Sequence, residues 1–296
     1  MSESKRPRFS LLMANYNNGP FLAEAIESVL NQSSADWELL IVDDCSRDNS
    51  REIITKYLDD KRIHFLQNEI NQGYTKNLIK MISESHSDLI GIIDSDDVLD
   101  HEAVATMLNV YDLHPEIGFV YSQYQICDEN LQPVTLGFCQ ATPPDQSNLH
   151  FHHMNHFKTF RKSVYLQTTG YDSRIFAEDI DLWFKLEEIS RGYFVDRVLY
   201  YFRTLPNSQS HAPKKRLLCG MTTKFAKYLA YERRQNNSQS LASNVSPVKM
   251  FWEMGKGLYL AIRLTDGKYS WFFAKKLLYF GLIIWPWLIK TAIKKI

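Results

Sequence analysis

Between residues 9 and 93 the chain alternates short apolar runs with stretches of helical period, three times over. Residues 9–13, 37–42, 62–66 and 89–93 are brief and rich in β-branched and long apolar side chains, as strands buried on both faces are. Between them, residues 21–32 repeat apolar positions at Leu22, Ala25, Ile26, Val29 and Leu30. Asp48 or Ser50 can cap a second helix reaching about Leu58, and residues 72–85 offer Ile79 and Ile82 on an apolar face. With connections of only a few residues, this pattern specifies right-handed crossovers and a parallel, Rossmann-like sheet.

The fourth apolar run stops abruptly at Asp94-Ser95-Asp96-Asp97. In open α/β sheets ligands gather outside the carboxyl ends of the strands. Three acids in four positions repel one another without a counter-cation. That points to a divalent ion with hard oxygen ligands, Mg²⁺ or Mn²⁺, beside a phosphate-bearing substrate. The other reading is an acidic turn ahead of a helix, with Asp97 or Asp100 as N-cap. Two further strand ends fall on the same edge: Ala14-Asn15-Tyr16 and Asp43-Asp44. Tyr16 offers an aromatic face to a base or packs its loop. Asp44 accepts from a base or a ribose hydroxyl, or is a turn acid. No GxGxxG follows the first strand, which argues against a dehydrogenase.

These segments carry a resemblance. Ser10-Leu-Leu-Met-Ala-Asn-Tyr-Asn-Asn, then Ser28-Val-Leu-Asn-Gln and Leu39-Leu-Ile-Val-Asp-Asp-Cys-Ser-Arg-Asp, resemble glycosyltransferase family 2. Asn71-Gln-Gly73 with Asn77, Asp94-Ser-Asp-Asp97, Arg161-Lys-Ser, Gly170-Tyr-Asp and Ala177-Glu-Asp-Ile-Asp-Leu-Trp183 follow in the same order. The resemblance covers roughly residues 8–210. It implies a GT-A fold around a mixed, mostly parallel sheet, and an inverting enzyme that uses a nucleotide-sugar and a divalent metal. Ala14, Tyr16, Asp44, Asn77, Asp94 and Ser95 match nucleotide-sugar-binding positions. Asp96 and Asp97 match metal positions, Asp96 foremost, and Asp179 matches the general base. Two departures stand out. Ala14-Asn15 occupy the place of a common Pro-Thr pair, and Leu205 that of a frequent metal-binding His, with His211 the nearest substitute.

Beyond the fourth strand, residues 102–114 read as a helix, 117–126 as a strand and 131–138 as its hairpin partner. Residues 142–148 form a loop by composition. His150, His152, His153 and His156 match no closed zinc spacing and read as an acceptor-facing loop. Residues 161–168 read as a short helix. Residues 178–190 read as a longer one with Ile180, Trp183, Phe184 and Leu186-Glu187 on one buried face. Asp179 falls in its first turn, where the helix dipole alone would favour a carboxylate. Residues 191–202 give the last strand, and 206–215 a polar lid or linker.

Charge divides the chain. Residues 213–296 hold 16 Lys and Arg against 3 Asp and Glu; residues 1–212 hold 18 against 31. The expected division is therefore a catalytic domain over 1–212 and a basic helical region over 213–296. Residues 217–234 and 248–263 read as helices. Residues 271–289 are apolar but interrupted by Lys275 and Lys276, leaving 277–289, short of the ~20 residues a spanning helix needs. Trp271, Trp285 and Trp287 with Lys290, Lys294 and Lys295 suggest a segment lying on an anionic membrane face; a core helix or dimer contact is the alternative. No signal peptide and no CxxC pair stand out among Cys45, Cys127, Cys139 and Cys219, so a cytoplasmic, peripheral enzyme is expected, with no nucleic-acid partner.

The expected activity is sugar transfer, with inversion, from a nucleoside-diphosphate sugar, UDP-linked by family frequency. The acceptor would be a saccharide or lipid-linked saccharide of a cell-surface glycan. A nucleotide-binding scaffold without turnover and a nucleotidyltransferase are the competing classes. The latter usually carries a Gly-rich basic phosphate loop, which Asn15–Gly19 does not resemble.

Overall fold

A computed structural model describes residues 6–143, 146–149, 153–173, 177–205 and 213–236. The chain divides into two units, Met1–Ser173 with Glu178–Pro206, and Arg174–Ala177 with Asn207–Ile296. The first unit is built on one nine-stranded sheet.

Its first half follows the alternation in the sequence: β1 (Phe9–Asn15), α1 (Gly19–Leu30), β2 (Trp37–Asp43), α2 (Ser50–Thr55), β3 (Ile63–Gln67), α3 (Tyr74–Glu84) and β4 (Leu89–Ile92). β1 pairs in parallel with both β2 and β4, and β2 with β3. Every residue of β2 is buried, as expected of an inner parallel strand covered on both faces. α1 opens with Pro20, tolerated in a first turn, and buries Leu22, Ala25, Ile26 and Val29 at helical spacing. α3 turns Asn77, Leu78, Met81 and Ile82 inward, so the expected apolar position Ile79 lies on its outer side, 39% exposed. The helix rotates toward the i, i+1, i+4, i+5 set that buries most apolar surface.

The second half is less regular: β5 (Val98–Leu99), α4 (Ala103–Leu113), β6 (Ile117–Cys127), β7 (Pro133–Leu136), β8 (Lys158–Arg161), α5 (Lys162–Tyr165), α6 (Glu178–Ile189) and β9 (Arg191–Arg203). The strand order is β3-β2-β1-β4-β8-β6-β9-β5, with β7 on β6. β6 and β9 pair in parallel, whereas β8 runs antiparallel between β4 and β6. The sheet is thus mixed, as a GT-A, Rossmann-like fold requires. The short helix expected over 161–168 shrinks to α5, because Lys158–Arg161 is taken into the sheet. Gly91 permits close packing there: a Cβ would meet the rings of Phe9 at 2.6 Å and Phe157 at 2.9 Å. α6 is buried from Ile180 through Leu186 rather than on one face. Its inward polar pair, Asp181 and Lys185, is joined at 2.6 Å, and Lys185 also donates to the Gly170 carbonyl.

In the second unit α7 (Pro213–Asn236) contains the expected helix 217–234. His150, His152, His211, the remainder of the 206–215 lid, and the helix and apolar segment expected beyond residue 236 lie outside the described residues.

Candidate active site

The strand order reverses between β1 and β4, the kind of switch point outside which open α/β sheets bind ligands. There the ends of β2, β1 and β4 bring Asp43-Asp44, Asn15-Tyr16 and Asp94–Asp97 side by side. The order also puts Lys158 at this edge, since it pairs with Ile92.

Asp44 is 3% exposed and surrounded by donors. Its Oδ1 accepts from Asn68 Nδ2 at 2.8 Å and from the Gln72 N–H at 2.7 Å; its Oδ2 accepts from the Gly73 N–H at 2.8 Å. Gly73 adopts φ +88°, a conformation open to glycine, which lets the chain wrap the carboxylate as it enters α3. Asn77 is buried and accepts from the other hydrogen of Asn68 Nδ2, at 2.7 Å. Three of the roughly four lone-pair positions of Asp44 are thereby used inside the protein. Asp43 is likewise held, by Asn15 Nδ2 and by Ser46. Ala14 is half-buried at the end of β1, and Tyr16 beyond it is 42% exposed, an aromatic face open to a ligand.

The other acidic turn is different. Asp94 accepts from Tyr74 Oη at 2.7 Å, and Ser95 Oγ accepts from Asn18 Nδ2 at 2.9 Å. The Asp94 N–H donates to Tyr200 Oη, which donates in turn to Asp97 Oδ2 at 2.7 Å; Asp97 Oδ1 accepts the Arg203 N–H at 2.7 Å. Even so, burial and then repulsion by Asp96 and Asp94 push the Asp97 carboxyl well above its ordinary range. Burial and the Asp94 charge raise Asp96 to about 6. The side chain of Arg203 does not neutralise them directly. Its Nε donates to the Asp96 carbonyl at 2.8 Å, its guanidinium pairs with Glu24 at 2.5 Å, and it covers the Phe21 ring. Arg203 therefore clamps the turn's backbone.

His156 completes this end of the site. Its ring is buried, stacked on Tyr200 and Phe202, with a donor atom that lies within 4.8 Å of those of Asp94 and Asp97. Its Nδ1 is buried without a hydrogen-bond partner. Burial, then the neighbouring Lys158 charge, hold it well below the usual histidine range, so the imidazole is neutral and keeps a lone pair. The residue expected in an acceptor-facing loop is therefore turned toward the acids. Two carboxylates and a neutral imidazole with an orphaned nitrogen fit a divalent ion.

Asp179 stands in the first turn of α6, 3.4 Å from Lys158 Nζ. Lys158 is 6% exposed, yet it stays cationic: burial pulls its pKa down, but the charges of Asp179 and Asp94 raise it more. Burial and the adjacent Asp179 charge push Glu178 up to about 8. Lys158 thus links the two acidic groups that sequence reasoning found separately. Lys158, Glu178, His156 and Arg203 were missed as site residues. For His156 and Lys158 the signal in the sequence was the basic-aromatic run from His156 to Arg161, which carries no known spacing; Glu178 stood beside Asp179 in the Ala177–Trp183 motif.

A family model described as "Glycosyl transferase family 2" matches residues 10–169. The chain belongs to this family. It is a glycosyltransferase. Among relatives, an uncharacterized glycosyltransferase of Methanocaldococcus jannaschii is 26% identical over 279 residues, 90% of this chain and 92% of its own length. The Escherichia coli UDP-Glc:alpha-D-GlcNAc-diphosphoundecaprenol beta-1,3-glucosyltransferase WfgD is 32% identical over 121 residues, 41% of this chain and 47% of its own. Among solved structures, the mannosyltransferase PcManGT from Pyrobaculum calidifontis, in complex with GDP-Man and Mn²⁺, superposes over 95% of this chain and 81% of its own. Its TM-score is 0.59 and its identity 14%, so that likeness is one of fold.

Proposed function

We propose that this family 2 enzyme transfers a sugar, with inversion and in a single displacement, from a UDP-sugar to a hydroxyl of a lipid-linked saccharide. The observation that carries the reading is the meeting at one sheet edge of an under-neutralised acidic turn, Asp94–Asp97, and an acid held beside a buried cation, Asp179 with Lys158. Tyr16 stacks on the base, and the last acceptor position of Asp44 takes a base N–H. Ala14, Asn77 and Ser95 shape the same donor pocket. Asp94, Asp97 and His156, with Asp96 beside them, would hold the metal. An imidazole among carboxylates favours Mn²⁺ over Mg²⁺. When bound, the ion supplies positive charge to the diphosphate leaving group.

Asp179 accepts the proton of the attacking acceptor hydroxyl. Lys158 sets a positive charge 3.4 Å from the Asp179 carboxylate, and the proton retained by Glu178 prevents a second negative charge beside it. A single displacement needs no carboxylate nucleophile. The WfgD relative, named for a UDP-glucose donor and an undecaprenol-diphosphate-linked saccharide, supports both the donor and the lipid-linked acceptor. The GDP-Man complex of PcManGT marks the donor to be tested against it.

We assign residues 1–212 to the catalytic domain. The basic region 213–296 is assigned to attachment at the cytoplasmic face of an anionic membrane. No helix among the described residues is long and apolar enough to cross a membrane. The test is a panel of nucleotide-sugars with a polyprenyl-diphosphate-linked saccharide and Mn²⁺. Release of UDP and a product of inverted anomeric configuration support the reading. Pyrophosphate release, or nucleotide binding without turnover on any donor, overturns it.

A further inference from the structure

The opposite edge of the same sheet carries a second group of metal-competent donors. Glu38 lies near the start of β2, His64 in β3, and His86 in the connection between α3 and β4. Six steps along β2 and just past its end separate Glu38 from Asp44, about 20 Å at ~3.3 Å per residue. This group is therefore independent of the nucleotide-sugar site and of the reading given to it.

A carboxylate inside a fully buried strand is costly unless several partners receive it. Glu38 has them. Its side chain is 3% exposed, and its Oε1 accepts from Ser10 Oγ at 2.5 Å and from the His86 N–H at 2.7 Å. Its Oε2 faces His86 Nδ1 at 2.7 Å and His64 Nε2 at 3.4 Å. One donor atom from each of the three residues lies within 4.8 Å of the others. The two rings are tilted against each other, with centroids 5.8 Å apart. Their side chains are 42% and 55% exposed, so an ion has open access from solvent while its anionic ligand is fixed from below.

We propose that Glu38, His64 and His86 form a binding site for a divalent ion of the zinc class. Two imidazole nitrogens and one carboxylate oxygen make a three-ligand set that leaves a position for water. Ser10 and the His86 backbone orient the carboxylate, as outer partners of metal ligands do. Imidazole-rich sets select zinc, copper or nickel over magnesium, so the two ends of the sheet differ in the ions they take. The bound ion ties the edge strand β3 to β2 and to the turn before β4. It adds to the β2–β3 ladder, which already pairs Leu40 with His64, and to the bond from the Ser87 N–H to Ser10.

The probe is zinc itself, added to the chelator-treated full-length chain, with Co²⁺ as its spectroscopic substitute. The acidic turn can also take zinc, so the readout is stoichiometry. His64→Ala and His86→Ala are exposed substitutions that leave the core untouched. Each is expected to bind one zinc fewer per chain than the wild type and to lose the visible Co²⁺ bands of an imidazole site. Each is also expected to lose the corresponding zinc-induced rise in melting temperature, with UDP affinity unchanged. Unchanged zinc stoichiometry and Co²⁺ spectrum in both variants would overturn the proposal. So would a wild-type chain that binds no zinc in the presence of saturating UDP and Mn²⁺. Either result would leave His64 and His86 as polar neighbours of Glu38 alone.

Discussion

Asp43-Asp44 and Asp96-Asp97 are the same dipeptide at the ends of neighbouring parts of one sheet, yet they are built in opposite ways. Asp44 meets two backbone N–H groups and an amide, all donors, with no other charge required. Asp97 meets one N–H and one hydroxyl, but also two more carboxylates, and the nearest guanidinium spends its hydrogens on carbonyls and Glu24. The first acid organises the entry to α3. The second group concentrates negative charge that only a proton or a cation can relieve. Identical residues thus become a satisfied anchor or a concentration of charge according to whether their surroundings supply donors or like charges.

The largest effect expected is at the acid that neither description covers. Asp179→Asn removes the proton acceptor while preserving shape, and turnover should fall by about 10²–10⁴-fold. UDP affinity, measured by calorimetry, should stay within a small factor of the wild type. A collapse of UDP affinity instead would move Asp179 from chemistry to binding.

The comparison itself breaks if the two dipeptides respond alike to Asp→Asn. In Asp44→Asn a donor replaces an acceptor opposite a backbone N–H, so urea unfolding should show a loss of about 2–4 kcal/mol. Asp96→Asn should do the reverse in metal-free protein at neutral pH, adding about 1–2 kcal/mol. Partial exposure of Asp96 keeps the gain below what a rise from 3.8 to about 6 would give on its own.

The pH dependence sharpens the same point. A carboxyl whose pKa is raised to about 6 in the folded state binds its proton more tightly folded than unfolded. Its contribution to stability is complete below the unfolded pKa near 3.8 and is lost as pH rises through about 6. Metal-free wild type should therefore lose stability across that window, and Asp96→Asn should flatten the loss. Since protons and Mn²⁺ compete for the same oxygens, Mn²⁺ affinity should weaken as pH falls below about 6. A metal affinity independent of pH from 5 to 8 would contradict this.

The smallest effect concerns the link between the two acidic groups. Lys158→Gln removes the buried cation 3.4 Å from the Asp179 carboxylate. Turnover should fall about tenfold, with UDP affinity within a small factor of the wild type. A folded Lys158→Gln chain with wild-type turnover would make Lys158 a purely structural residue.

How far these features could be read from the sequence follows the same division. β1, β2 and β4 were legible because an inner parallel strand is a continuous apolar run, and the acids at the ends of β2 and β4 stood out. That Asp44 is an anchor was not legible, because its donors are backbone groups of Gln72 and Gly73. β8 was hidden because it has four residues and begins and ends in a basic one; only its neighbours β4 and β6 make it a strand. His156 lies in a histidine run whose spacing means nothing locally, and its partners are some 60 residues earlier in the chain. The missing histidine at Leu205 was legible as a departure, and the nearness of His156 to Asp94 and Asp97 was not. α6 defeated the helical period because both of its faces are covered, with Asp181 and Lys185 satisfying each other inside.

The central claim is that the Asp94–Asp97 turn is built to hold a cation for nucleotide-sugar transfer. Its most direct test is Mn²⁺ binding to the UDP-saturated chain at neutral pH, followed by electron paramagnetic resonance in wild type and Asp96→Asn. The account predicts one ion bound by the wild type in a UDP-dependent manner. In Asp96→Asn that ion and the sugar transfer should be lost together, while the chain stays folded. Unchanged Mn²⁺ binding in Asp96→Asn, or full transfer by that variant in excess chelator, would contradict it.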